Sequence, residues 1–367
     1  MKRQYFCTII LGLLISTYAL NSQAYYRISN PITRDFNQIT IGVFPQVELI
    51  SIVQTISKYP TVFGFLMAND TSSYRTEVFA HFDNYKNHPA VLMFNRLSLQ
   101  ARMLNFSAPS NIMLYTNETL DLRTDIEIED FVIERAGGVD SLRLFLKLLK
   151  DFTVQSSFNK FFQDHSDFYL TITESTIQNM GPINYISELE NFYGKTQKSY
   201  NIILVTLYNS VGFGNSLIFP NEERDIYNTM GPKKVINYVP FFGDENSLKY
   251  MIRHEFSHPF INPLTEKYWD YIKDYYHNYD SIPQIARKNV CGDWQECVNE
   301  FIIRAITTQI AYNESVDIGS QSYNRELARG VSYLDKLMDK IKLYESSRDK
   351  YSTFESFYPI ILDAFKK

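Results

Sequence analysis

The residues His254-Glu255-Phe256-Ser257-His258 constrain this chain more than any other feature of its sequence. On a helix, positions i and i+4 lie one turn apart on the same face, so both imidazoles of an H-E-x-x-H motif can reach one metal ion. The intervening glutamate then sits beside that ion, where it can take a proton from a bound water. A fold that uses the motif must open a cleft along the helix edge. It must also bring a third ligand from another segment and leave one position free.

The sequence around the motif fits this demand. Asp244-Glu245-Asn246-Ser247 is rich in N-cap residues, with acids at the helix start. Leu248, Met251 and Ile252 form an apolar stripe, with His254 and His258 along its edge. Pro259 follows directly, and its ring clashes with the carbonyl four residues back, so the helix is expected to end or kink there. The plainer alternative is that one histidine caps the helix and the other pairs with a carboxylate. That arrangement gives no reason for a glutamate between them.

The segment Asp293 to Thr307 reads as a helix that places Glu296 and Glu300 one turn apart. Glu300 is embedded in the apolar run Cys297-Val298-Asn299-Glu300-Phe301-Ile302-Ile303, where an unpaired carboxylate is costly to bury. Metal ligation offsets that cost, as would an i,i+4 ion pair to Arg304. Glu300 is therefore the favoured third ligand. Glu296 is an alternative, and so is His277 in the aromatic stretch Tyr275-Tyr276-His277-Asn278-Tyr279.

Beyond the motif, Val47 to Val53 and Ser141 to Leu149 carry apolar residues at three- and four-residue spacing, and residues 47–194 read mostly as helices. From Tyr200 the character changes. Asn201 to Tyr208 is a β-branched run of strand length, and Ser216 to Phe219 and Lys234 to Val239 are shorter strand candidates between Gly and Pro punctuation. Helical patterns then return to the end of the chain. The expected fold class is α+β, mostly helical, with a small mixed sheet preceding the motif helix. A helical region over 25–195 and a metal-site region over 196–367 is one division; a single continuous domain is the other, because no linker composition marks residue 195.

The first 24 residues read as a secretory leader. Met1-Lys2-Arg3-Gln4 is positive, Tyr5 to Leu20 is apolar but shorter than the ~20 residues of a membrane span, and Asn21-Ser22-Gln23-Ala24 offers small residues for cleavage. Cys7 lacks the small-residue context of a lipid-attachment site. The mature protein is thus expected to be exported, without a transmembrane segment. Of the 36 basic residues, Lys2 and Arg3 leave with the leader, so 34 remain against 41 acidic ones. An acidic chain without a Lys/Arg run is poorly suited to a phosphate backbone, which argues against nucleic acid as a partner. The remaining cysteines, Cys291 and Cys297, suit a disulfide in an oxidising compartment. Within one helix their Cα atoms would be about 9 Å apart, beyond reach of a bridge, so pairing requires Cys291 to lie in the loop before the helix. Two buried free thiols are the equal alternative.

The motif with Asn299-Glu300 downstream resembles the gluzincin pattern, metallopeptidases whose third zinc ligand is a glutamate on a following helix. The longer string Arg253-His254-Glu255-Phe256-Ser257-His258-Pro259-Phe260-Ile261-Asn262-Pro263 is similar to the signature of an uncharacterised, often exported bacterial family catalogued as a domain of unknown function. The likeness extends to Val47-Glu48-Leu49 and His88-Pro89-Ala90-Val91. It implies a zincin-like fold, Zn2+ held by His254, His258 and Glu300, Glu255 as general base, and a peptide or protein substrate. Two features depart from the best-known gluzincins. Their spacing is about half of the 41 residues found between His258 and Glu300, and Arg304 stands where the thermolysin-like helix carries an acid.

The functional expectation is an exported zinc-dependent hydrolase that cleaves peptide bonds. An extended substrate would add to the edge of the 200–240 sheet, with Val211-Gly212-Phe213-Gly214-Asn215 as a flexible stretch close by. No tyrosine is singled out as an oxyanion donor. The competing class is a non-catalytic exported binding or surface protein with a structural or degenerate zinc site, against which the intact Glu255 speaks. A third reading keeps the metal and hydrolyses a non-peptide amide or ester.

Overall fold

The computed structural model describes residues 26–366 except 71, 101 and 102, so the leader expected over residues 1–24, with Cys7, lies outside the described residues. The chain is α+β and mostly helical. It begins with a hairpin, β1 (Ile32–Phe36) and β2 (Ile39–Val43). Asn37 and Gln38 turn the chain with φ of 45° and 68°, the left-handed conformation that matches the twist of a two-residue hairpin. The next helix, α1 (Pro45–Ile56), has Pro at its start and is buried on nearly every side, its polar Glu48, Ser51, Gln54 and Thr55 included.

Further helices follow, among them α2 (Ser166–Asn179), which packs on β1 and β2, and α3 (Tyr185–Tyr193). The chain then returns to the sheet with β3 (Ser199–Leu204), β4 (Gly212–Ile218) and β5 (Arg224–Met230). The five strands run in the order β1-β2-β3-β5-β4. β2 pairs parallel to β3, β3 pairs parallel to β5, and both edge strands are antiparallel to their neighbours. The sheet is thus mixed and precedes the motif, as expected. Its strands come from both sides of residue 195, and one hydrophobic cluster runs from Ile28 to Phe365.

Two parts of the strand reading need correction. Residues 32–43 contribute two strands to a region read as helical. Lys234 to Val239 is not one strand; β6 (Lys234–Ile236) and β7 (Val239–Phe241) pair antiparallel, reversing at Asn237 and Tyr238 with positive φ.

The motif is carried by α4 (Glu245–Glu255) and α5 (His258–Lys267). Asp244 caps α4 by accepting the Ser247 N–H at 2.9 Å. After several short helical turns comes α6 (Trp294–Glu314), capped by Asp293 and buried along most of its 21 residues. It packs against α5, α4 and the following helix α7 (Val316–Ala328). Cys291 lies in the loop before α6 and is bridged to Cys297, with Cα atoms 4.9 Å apart, the geometry that pairing required. No helix among the described residues is long and apolar enough to cross a membrane.

A carboxyl group is also buried in the core on α1. Glu48 on α1 is 1% exposed; Tyr74 donates to its Oε1 at 2.5 Å, while Oε2 has no partner among the described residues. Burial pushes its carboxyl up to about 7, and the Tyr74 and Ser51 hydrogen bonds pull it only part of the way back. The folded chain therefore holds a proton that the unfolded chain has released, and stability falls as pH rises from about 4.5 to about 7. Glu48→Gln should remove that loss, with a gain on the order of 3 kcal/mol above pH 7 that shrinks toward pH 4.5. Thermal melts across this range check it; a gain that does not change with pH would contradict the assignment.

Candidate metal centre

The H-E-x-x-H residues do not share one uninterrupted helix. α4 closes at Glu255 and α5 opens at His258, joined by a tight turn in which Ser257 N–H donates to His254 C=O at 3.1 Å. The break thus falls before His258 rather than after it. The reason is Pro259: placed in the first turn of a new helix, its missing N–H and fixed φ cost little, whereas inside a continuing helix they would be disruptive. Phe256 and Ser257 keep right-handed φ,ψ, so the change of direction is modest and the two imidazoles still converge. Their ring centroids are 5.0 Å apart with planes at 85°.

Glu300 on α6 meets both rings. His254 Nε2 lies 3.5 Å from Glu300 Oε2, and His258 Nε2 lies 3.5 Å from Oε1. One ligand atom from each of His254, His258 and Glu300 falls within 4.8 Å of the others, so the three could hold a metal ion. Donors arranged tetrahedrally at zinc–ligand distances of about 2.0–2.2 Å stand roughly 3.4 Å apart, close to the separations seen here. The ring nitrogens are also prepared for ligation. His258 Nδ1–H donates to Asn262 Oδ1 at 3.2 Å, which leaves Nε2 with its lone pair free. His254 is oriented by stacking on Tyr250, with centroids 5.6 Å apart, while its Nδ1 is buried without a partner among the described residues.

Glu300 is held as a carboxylate. Burial pushes its pKa up, but His254 beside it, then Arg304 and His258, hold it well below the usual carboxylate range. Arg304, one turn along α6, donates Nε and Nη2 to Glu300 Oε2 at 2.9 and 2.8 Å. The sequence posed ligation and the Glu300–Arg304 pair as rivals; the structure contains both the pair and the three-residue group. Arg304 is itself tied to Glu326 on α7 at 2.8 Å and to the Tyr250 hydroxyl at 2.7 Å, which also accepts Arg329. Glu326 is fully buried; burial pushes its pKa up, but Arg304, with Arg329 and Arg325, together hold it below the usual carboxylate value.

The other two candidate ligands are elsewhere. Glu296 accepts the Gly292 N–H at 2.6 Å at the head of α6. His277 is exposed, with Nδ1 3.1 Å from the Asp274 carbonyl. Neither joins the group.

Glu255 is placed by the sheet. Its Oε2 lies 3.9 Å from His258 Nε2, and its side chain is mostly buried. Edge strand β4 runs directly against it. A Cβ on Gly212 would come within 2.8 Å of Glu255 Oε1, and one on Gly214 within 2.4 Å of the Glu255 carbonyl oxygen. The glycines of Val211–Asn215 are therefore not a mark of flexibility; they let a strand approach the motif turn closely. Behind α4, Arg253 is gripped by Glu188 of α3 at 2.7 and 2.8 Å and by Glu314 at 3.2 Å, and Lys249 pairs with Glu314 and Glu245. A cleft of about 800 Å³ reaches this centre at His258, lined on one side by β4 and on the other by α5 and the start of α6. No tyrosine is among its lining residues.

Sequence reasoning missed Asn262, Tyr250, Glu326 and the role of the two glycines. Asn262 is one helical turn beyond His258, and that spacing was a usable signal. The Tyr250–Arg304–Glu326 contacts join three helices and have no local signature.

Residues 39–364 match a domain of unknown function (DUF4932), and the chain belongs to that family. No curated protein and no solved structure matches it.

The geometry makes two predictions. Glu300→Ala should lower zinc affinity by more than about 100-fold, while Glu296→Gln and His277→Ala leave it unchanged. Asn262→Ala should cost roughly 10- to 100-fold through loss of His258 orientation. Competition titration against a chromophoric chelator reads both; equal affinity in Glu300→Ala and wild type would remove Glu300 from the ligand set.

Proposed function

We propose that this protein is an exported zinc-dependent hydrolase with a zincin-like fold, acting on peptide bonds. The observation that carries the reading is the convergence of His254, His258 and Glu300, with Glu255 beside them, at a cleft bounded by a sheet edge. A group of three protein ligands is the number that catalytic zinc sites use, whereas structural sites close with four. When bound, zinc supplies Lewis-acid polarisation and a more acidic water.

The chain's own residues supply the rest. Glu255, next to His258 and excluded from bulk water by β4, accepts the proton of the attacking water and delivers it to the leaving amine. Asn262 fixes the His258 tautomer, and Arg304 with Tyr250 and Glu326 keeps Glu300 ionised and oriented. β4 pairs only with β5 among the described strands, so its outer edge offers backbone N–H and C=O groups to an extended peptide. The leader-like first 24 residues support export, and the Cys291–Cys297 bridge supports an oxidising compartment.

Glu255→Gln separates binding from chemistry. It should keep one zinc per chain and lose peptide hydrolysis by at least about 100-fold. Metal analysis and turnover of the same preparation check this; retained turnover, or loss of metal, would overturn the role given to Glu255.

A further inference from the structure

The cleft wall carries more negative charge than the metal centre needs. Glu127, Glu129 and Asp130 line it from the segment that leads into the helix Asp130–Arg135, and Glu266 lines it from α5. His258, Asn262 and Glu266 are successive i,i+4 positions, so they form one stripe along α5, with Glu266 about 12 Å along the axis from His258. Of these acids, Glu129 is already engaged: it accepts the Tyr115 hydroxyl at 2.8 Å, and it is the leading counter-charge to Arg224, the only Lys or Arg lining the cleft among the described residues. Glu127, Asp130 and Glu266 make no ion pair among the described residues.

A second observation is independent of charge. Asn111 and Asn299 line the same cleft at 6% and 9% exposure, and the Oδ1 of each has no hydrogen-bond partner among the described residues. Asn215 Nδ2 is an unpartnered donor in the same cleft, so the unpaired acceptors outnumber the unpaired donors there. A lysine or arginine head group brings three or five N–H donors and no acceptor. The half-exposed Phe131, on the same wall, offers apolar surface for the aliphatic stem of such a side chain.

We propose that the Glu127–Asp130–Glu266 wall selects substrates with a lysine or arginine within about four residues of the bond cleaved. That distance follows from the 12 Å offset at about 3.3 Å per extended residue. The inference rests on the metallopeptidase reading for the meaning of substrate, but the wall can be tested without turnover.

The test uses fluorescein-labelled hexapeptides in an Ala/Gly frame, with Lys, Arg, Ala or Glu at one varied position. Anisotropy titration of zinc-loaded Glu255→Gln protein reads binding, and cleavage by the wild-type zinc protein reads selectivity. Lys and Arg peptides should bind about tenfold more tightly than Glu peptides, with the gap narrowing at high salt. Combined Glu127→Gln, Asp130→Asn and Glu266→Gln substitutions should abolish the gap and leave the Ala peptide unaffected. Equal binding of Lys and Glu peptides, or a preference that survives the triple substitution, overturns the proposal. Preferential binding of basic peptides with no cleavage of any peptide supports the wall and instead counts against the peptidase reading.

Discussion

The Glu300 carboxylate, buried between two imidazoles and a guanidinium, is the contact on which the rest of this structure depends. A carboxylate placed mid-helix in an apolar sequence needs partners on every side that water would otherwise fill. His254 and His258 meet one side at 3.5 Å, and Arg304 meets the other at 2.8 Å. That requirement ties α6 to the α4–α5 pair. Through Arg304, Glu326 and Tyr250 it also ties both to α7. The charges alternate along the chain of contacts, so each buried ion is flanked by opposite sign.

The sheet supplies the other half of the site. Its edge strand could not approach Glu255 with side chains at positions 212 and 214, and the two glycines allow the contact that shields the carboxylate. The bidentate Arg253–Glu188 pair anchors the opposite side of α4 to α3. Glu255 is thus held between an edge strand and a helix anchored from behind. The break between α4 and α5 belongs to the same design, since it accommodates Pro259 while keeping His258 pointed at Glu300.

Much of the site was legible in the sequence because its information is local. The H-E-x-x-H spacing, the Asp244 and Asp293 caps, and the apolar surroundings of Glu300 each follow from helical periodicity. The preference for Glu300 over Glu296 came from burial, and the structure shows why: Glu296 is consumed at the helix head by the Gly292 N–H. The condition on Cys291 was likewise a matter of helix rise. What was not legible is long-range. β2 is five residues long and pairs with β3 far along the chain, so its identity as a strand depends on a partner that no local pattern names. The Gly-x-Gly of β4 reads as flexible until Glu255 is placed against it. The position of the helix break also was not legible: Pro259 reads as the end of one helix, and only the structure shows it in the first turn of the next.

The account turns on whether the three-residue group binds zinc. Elemental analysis of the purified protein, with His254→Ala as its control, asks this most directly. About one zinc per wild-type chain is expected, removable by chelation and restored on repletion, and almost none in the variant. Wild-type protein that stays metal-free after zinc repletion would contradict it, leaving the paired histidines and Glu300 as a buried ion cluster with Arg304.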